Sequence, residues 1–214
     1  ISVTTTIDTT TTTDTAITTT STPAADPVPD VVINEVAWAG TSAVYYQQEW
    51  FELYNNTDND IDLTGWKILV SGAQINFSKI NNKVISARGY YLLERKEDSV
   101  IRDIGADAVY THTISTGFNN NGGKLELLNP DGVKVDEVDA SGRWFAGDNI
   151  KYRSMERLDS TKNGSDPANW QSNLGSRPTG QNVNWAPVNG SPRQSNFGYV
   201  MLSGSQEDAV RTLD

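Results

Sequence analysis

Residues 31–40 read VVINEVAWAG and residues 49–66 read EWFELYNNTDNDIDLTGW, with a short polar interruption between them. In the first stretch Val31, Ile33, Val36 and Trp38 form a mixed apolar run. In the second, Trp50, Glu52 and Tyr54 alternate with Phe51 and Leu53. Such alternation marks a half-buried strand, because successive side chains of a pleated chain point to opposite faces. Val, Ile, Tyr, Phe and Trp also fit a pleated surface. Asn55 to Asp60 reads as a turn, since Asn and Asp side chains bond their own backbone and tolerate left-handed conformations. Ile61 to Trp66 is then expected to start the return strand of a hairpin.

Outward from that unit, Lys67–Val70, Ala73–Phe77 and Val84–Ile85 read as short strands. Tyr90–Leu93 is a continuous apolar run, as expected of a central strand. Ser99 to Ile104 is expected to hold one helical turn. Lys124–Leu128 and Val133–Val138 form a hairpin across Asn129-Pro130-Asp131-Gly132, where Asp-Gly favours a tight turn. Trp144-Phe145 and Lys151–Leu158 read as the last clear strands before residue 159. From there to Asn196 the composition turns to Asn, Gly, Ser and Pro, which reads as a long loop wrapped on the fold. Trp170 and Trp185 are its isolated anchors, each expected to plug an apolar gap. The fold class is all-β.

These residues carry a resemblance. Ile33-Asn34-Glu35-Val36, Glu49 to Asn55 and Asp62-Leu63-Thr64-Gly65-Trp66 resemble the lamin-tail domain in its prokaryotic secreted form. The likeness continues through Gly89 to Leu93, Leu125-Glu126-Leu127, Asp131-Gly132, Val135-Asp136 and Ser154-Met155-Glu156-Arg157, and covers roughly residues 30–196. It implies an immunoglobulin-like β-sandwich with a binding or scaffolding role. The heptad-bearing rod and basic localisation run of nuclear lamins are missing, so no nuclear role is carried over.

The totals bound the function. A chain of 214 residues accommodates one domain with extensions. A net charge of −10 argues against nucleic acid, whose phosphates repel an acidic surface. The absence of cysteine excludes a disulfide framework, a thiolate zinc site and a cysteine nucleophile. No apolar run approaches the roughly 20 residues that span a bilayer, so membrane insertion is not expected. A start at Ile1 instead of Met is consistent with removal of a signal peptide, and the expected location is extracellular, at the cell surface.

Three segments follow: a Thr-rich arm with a Pro-rich linker over 1–29, the sandwich over 30–196, and a C-terminal strand with a polar tail over 197–214. The arm's bulky aliphatics, Ile1, Val3, Ile7 and Ile17, all fall on odd positions. Threonine favours extended backbone, so the arm reads as a strand with one greasier face. Its 22 residues reach about 70 Å, far enough to enter a neighbouring subunit. Threonines such as Thr9, Thr11 and Thr13 are candidate glycosylation sites on such a stalk.

Catalytic signals are weak. The single histidine, His112, has no Gly-x-Ser-x-Gly turn to serve, and reads as a strand or loop residue. Glu35, Glu49 and Glu52 offer paired carboxylates for hydrolase chemistry, yet the resemblance places Glu35 and Glu52 in strands of a non-catalytic domain. Asp58, Asp60 and Asp62 have the one-three-five spacing of a calcium loop but lack its later Gly and Glu, so calcium binding is expected to be weak at most. No other cofactor is implied. Asp136, Glu137 and Asp139 form a second acidic cluster. Asn-x-Ser/Thr sequons fall at Asn55, Asn76, Asn163 and Asn189.

Three functions remain in play. The first is a cell-surface filament or lattice subunit whose arm pairs with the next copy, making the chain its own partner. The second is a secreted binding or adhesion module for glycans or surface proteins. The third is a hydrolase using Glu35 and Glu52, which the lack of a histidine-based site disfavours. The patterned arm favours the first.

Overall fold

The computed structural model describes residues 27–110, 117–175 and 179–196. Its strands are β1 (Val31–Ala37), β2 (Trp50–Asn55), β3 (Ile61–Asp62), β4 (Lys67–Val70), β5 (Ala73–Asn76), β6 (Val84–Ile85), β7 (Tyr90–Arg95), β8 (Ala108–Tyr110), β9 (Gly123–Leu128), β10 (Lys134–Ala140), β11 (Met155–Arg157) and β12 (Trp170–Ser172). A six-stranded sheet runs β12-β11-β1-β2-β7-β8, a four-stranded sheet runs β10-β9-β4-β5, and β3 pairs with β6. β7 and β8 are parallel. The arm with Ile1, Val3, Ile7, Ile17, Thr9, Thr11 and Thr13, the histidine His112 and the segment after Asn196 lie outside the described residues.

Period-two alternation sets the two faces of the six-stranded sheet. Ile33, Val36, Phe51, Leu53, Tyr91 and Leu93 face the other sheet and meet Ile68, Val70, Leu125, Leu127 and Val138 in one core. Trp38 and Trp144 stack in that core, 5.9 Å between ring centroids, and Phe118 meets Trp144 edge-on. The result is an immunoglobulin-like sandwich. The opposite face is also closed. Ala37, Trp50 and Leu92 are covered by Val100, Ile101 and Val188, brought over by the loop after β7 and by residues 179–196.

The structure corrects several sequence expectations. β2 does not form a hairpin with Ile61–Trp66; it pairs with β1 and β7, while Ile61 and Asp62 pair with β6. The reason is Asn55, whose buried amide donates to the carbonyls of Asn59, Ser86 and Ile85 and swings the chain away from β2. Ser99 to Ile104 contains no helix, only a single turn closed by Ile104 N donating to Ile101 O at 3.1 Å, after the amides of Val100 and Ile101 donate to the Glu94 carboxylate, 3.0 and 2.9 Å away. Trp144 and Phe145 lie outside any strand, and the strand in Lys151–Leu158 shrinks to β11. The 159–196 stretch includes a strand, β12, starting at Trp170. Trp170 is buried as expected, with its indole donating to Gly164 O at 2.8 Å. Trp185 plugs nothing and stands exposed.

Candidate functional site

Register places three glutamates in one row. Glu35 of β1 lies opposite Glu52 of β2 on one side and Glu156 of β11 on the other. All three are fully buried. Residues 191–196 seal the row. Ser191 donates its amide to Glu35 Oε1 at 2.9 Å, Arg193 donates its amide to Glu52 Oε2 at 2.6 Å, and Asn196 donates to Asn34 O and Arg157 O. Ser154 adds a 2.6 Å bond to Glu35, and Asn173 one of the same length to Glu156. Gly190 is needed at the crossing, since a Cβ there would stand 2.5 Å from the Trp50 ring and 2.8 Å from Glu35.

Burial is the main cause of the electrostatics. It pushes Glu35 up to about 8, with help from the charge of Glu156, and raises Glu52 well above the carboxylate range, with help from Glu35. Desolvation also lifts Glu94 to about 8 and Glu49 to about 7, the latter opposed by the Phe118 amide and by Arg95 3.2 Å away. Such carboxyls can hold protons near neutrality, as catalysis demands. Glu35, Glu52 and Glu94, however, spend both oxygens on protein donors, and Glu49 spends Oε2 on the Phe118 amide and Arg95. Glutamates 35, 49 and 52 hold the fold together.

The calcium-spaced aspartates do not converge. Asp58 pairs with Arg88 at 2.8 Å, Asp60 accepts from the Ala87 amide at 2.9 Å, and Asp62 accepts from Thr64 N and Oγ1. The described residues hold no group of three acidic or histidine side chains placed to bind a metal. In the second acidic cluster, Asp136 is buried against Arg157, while Glu137 and Asp139 pair with Lys124. Among the sequons, Asn55 is unreachable for a glycosylating enzyme, being fully buried with its nitrogen fully engaged. Asn76 caps the short turn Phe77–Lys79, Asn163 accepts from Ser165 N, and Asn189 donates to Lys151 O.

Two surface features escaped sequence reading. A cleft of about 630 Å³ opens beside the glutamate row, with Tyr54 and Tyr90 in it and Arg88, Asp159 and Asn196 in its walls. The two tyrosine rings lie 5.0 Å apart. At Trp185, the Arg102 guanidinium sits 4.3 Å from the indole centroid. Neither feature has a local signal, since each is assembled from segments distant in sequence.

A two-sheet sandwich whose buried acids bond its own donors belongs to the class of immunoglobulin-like domains. The lamin tail domain family matches residues 24–142, and the chain belongs to that family. No curated protein matches it. The matched stretch ends before β11, although β11 is a direct neighbour of β1 in the sheet.

Proposed function

We propose that this protein is a non-catalytic, extracellular structural subunit that joins copies of itself at the cell surface by β-strand complementation through residues 1–22. The observation that carries the reading is the open edge at β5, which ends the four-stranded sheet with no further strand among the described residues. The opposite edge, β10, is protected differently, since Asp139 donates its amide to Ser165 Oγ and Ser165 returns a bond to Glu137 O. An unpaired edge is a template for an incoming strand, which would satisfy its free backbone groups. A Thr-rich, odd-parity arm has the extended character such a strand needs. In such a strand the even-numbered threonines would face away from the acceptor sheet, whereas Thr9, Thr11 and Thr13 would share the aliphatic face and be covered on assembly.

Deleting residues 1–22 is expected to leave a folded monomer that does not assemble, read by sedimentation and electron microscopy. Normal assembly of the deletion variant would reduce the arm to a stalk. No hydrolysis is expected: turnover of a glycan or ester that vanished in a stably folded Glu52→Ala variant would overturn the non-catalytic part of the reading.

A further inference from the structure

The cleft beside the glutamate row is walled in part by the last residues of the described chain. Ser195 and Asn196 line it together with Val28, Tyr54, Tyr90 and Leu158. Asn196 is pinned there, because its side-chain amide donates to Asn34 O at 3.0 Å and to Arg157 O at 2.7 Å. Val28 is 50% exposed, and the Tyr54 and Tyr90 rings, 5.0 Å apart, are only half-buried. An aromatic and aliphatic wall is therefore open to water at the point where residue 197 leaves the fold.

The charges around the cleft are already paired. Arg88 lies 2.8 Å from Asp58, Arg157 is held at 2.7 Å by Asp136, and Asp159 lies 3.4 Å from Lys162. A charged ligand finds no spare counter-charge among these groups, whereas an uncharged aromatic one finds ring edges and faces. The sequence that follows Asn196 has that chemistry. Phe197-Gly198-Tyr199-Val200-Met201-Leu202 carries no charge and is the densest apolar run after residue 159, and the polar Ser203-Gly204-Ser205-Gln206-Glu207-Asp208 comes next. Period two would set Phe197 and Tyr199 on one face of an extended chain, both within about 10 Å of Asn196. The arm is a poorer occupant: before Val28 its nearest bulky aliphatic is Ile17, eleven positions away, with Pro23 and Pro27 between.

We infer that residues 197–202 dock in the cleft of their own domain, with Phe197 and Tyr199 seated against Tyr54 and Tyr90. The volume of about 630 Å³ falls within the range of about 300–1,000 Å³ in which pockets enclose a small, mostly apolar ligand. Tethering at Asn196 makes the docking intramolecular, so a contact too weak to hold a free peptide is held at a high effective concentration. The docked segment covers the open wall and anchors the end of residues 191–196, whose Ser191 and Arg193 amides seal Glu35 and Glu52. It leaves β5, in the other sheet, free for the arm, and the two readings stand or fall separately.

Chymotrypsin, which cuts after aromatic residues, tests this on the full chain and on two variants that fill the cleft, Ser160→Trp and Thr161→Trp, each shown to be folded by its urea midpoint. In the full chain the bonds after Phe197 and Tyr199 are expected to be cut at least about tenfold more slowly than in a free peptide of residues 190–214, since cleavage follows the population of the open form. A folded variant with a filled cleft is expected to restore the peptide's rate. Cutting of the full chain at the peptide's rate overturns the inference, and so does protection that survives a filled cleft. Protection that grows with concentration, also in a chain lacking residues 1–22, assigns the cleft to the tail of a second copy. Protection seen only after residues 1–22 are deleted assigns it to the arm. Either result overturns docking within one domain. Phe197→Ser combined with Tyr199→Ser leaves every described residue in place and is expected to lower the urea midpoint of the full chain; an unchanged midpoint also overturns the inference.

Discussion

Ser191 has one hydroxyl proton and stands within hydrogen-bond distance of two carboxylates, Glu35 Oε2 at 3.1 Å and Glu156 Oε1 at 2.7 Å. It can donate to only one, so the other contact calls for a protonated carboxyl. Glu35, lifted to about 8 by burial, is the group that holds that proton near neutrality. Below pH 4.5 the raised glutamates are mostly protonated in folded and unfolded chains alike, so their own contribution to stability is fully present. As pH rises toward folded-state values of about 7 for Glu49 and about 8 for Glu35 and Glu94, the unfolded chain loses protons that the folded chain retains. The contribution of these carboxyls to stability is therefore lost as pH rises through that window. The urea midpoint is expected to be higher at pH 5 than at pH 8, and Glu35→Gln is expected to flatten that slope. A midpoint that rises with pH would refute the protonated row.

Among the elements, β1 is the one on which both sheets depend. Its register shifts between Ile33 and Glu35, and the Ile33 amide turns to Asp136 Oδ2 of β10, 2.8 Å away. Arg157 of β11 completes the link with two bonds to Asp136, at 2.7 and 3.1 Å, and one to Ile33 O. Both charged side chains are almost fully buried. Removing one partner leaves the other charge uncompensated, so Arg157→Ala is expected to cost about 3–5 kcal/mol in denaturant unfolding. A loss below about 1 kcal/mol, the level of an exposed pair, would show that this ion pair does not join the sheets. The sequence contains Asp136 and Arg157 in plain view, but their spacing does not reveal that they meet, because the bond crosses from one sheet to the other.

For the whole molecule, the outer face of the six-stranded sheet decides what must be kept together. The family match covers residues 24–142, yet Glu35 is bonded by Ser154 and Ser191, and Glu52 by Arg193. A fragment ending at residue 142 would bare the glutamate row, Trp50 and one side of β1. Residues 24–142 alone are expected to lack a cooperative thermal transition, whereas residues 24–196 are expected to melt as one unit. Equal transitions by circular dichroism would show that the later segment is an ornament.

By itself the sequence determined most of the longer strands and the family. Alternation in EWFELY, the apolar run at Tyr90–Leu93 and the Asp-Gly turn before β10 are local signals, set by side-chain period and backbone preference. The resemblance carried by Ile33–Val36 and Glu49–Asn55 pointed to the sandwich before any pairing was visible. Only the tertiary structure decided which strands are partners, since Asn55 sends the chain after β2 across to β6 instead of back along β2. It also decided the fates of Trp170 and Trp185, which sit in similar polar surroundings in sequence. Trp170 finds Arg157 and the Gly164 carbonyl in the interior, while Trp185 is fixed outward by Asn182, Tyr45 and Arg102. Period and turn chemistry act over a few residues; burial, charge pairing and exposure depend on residues distant in sequence, more than a hundred positions in the case of Glu35 and Ser191.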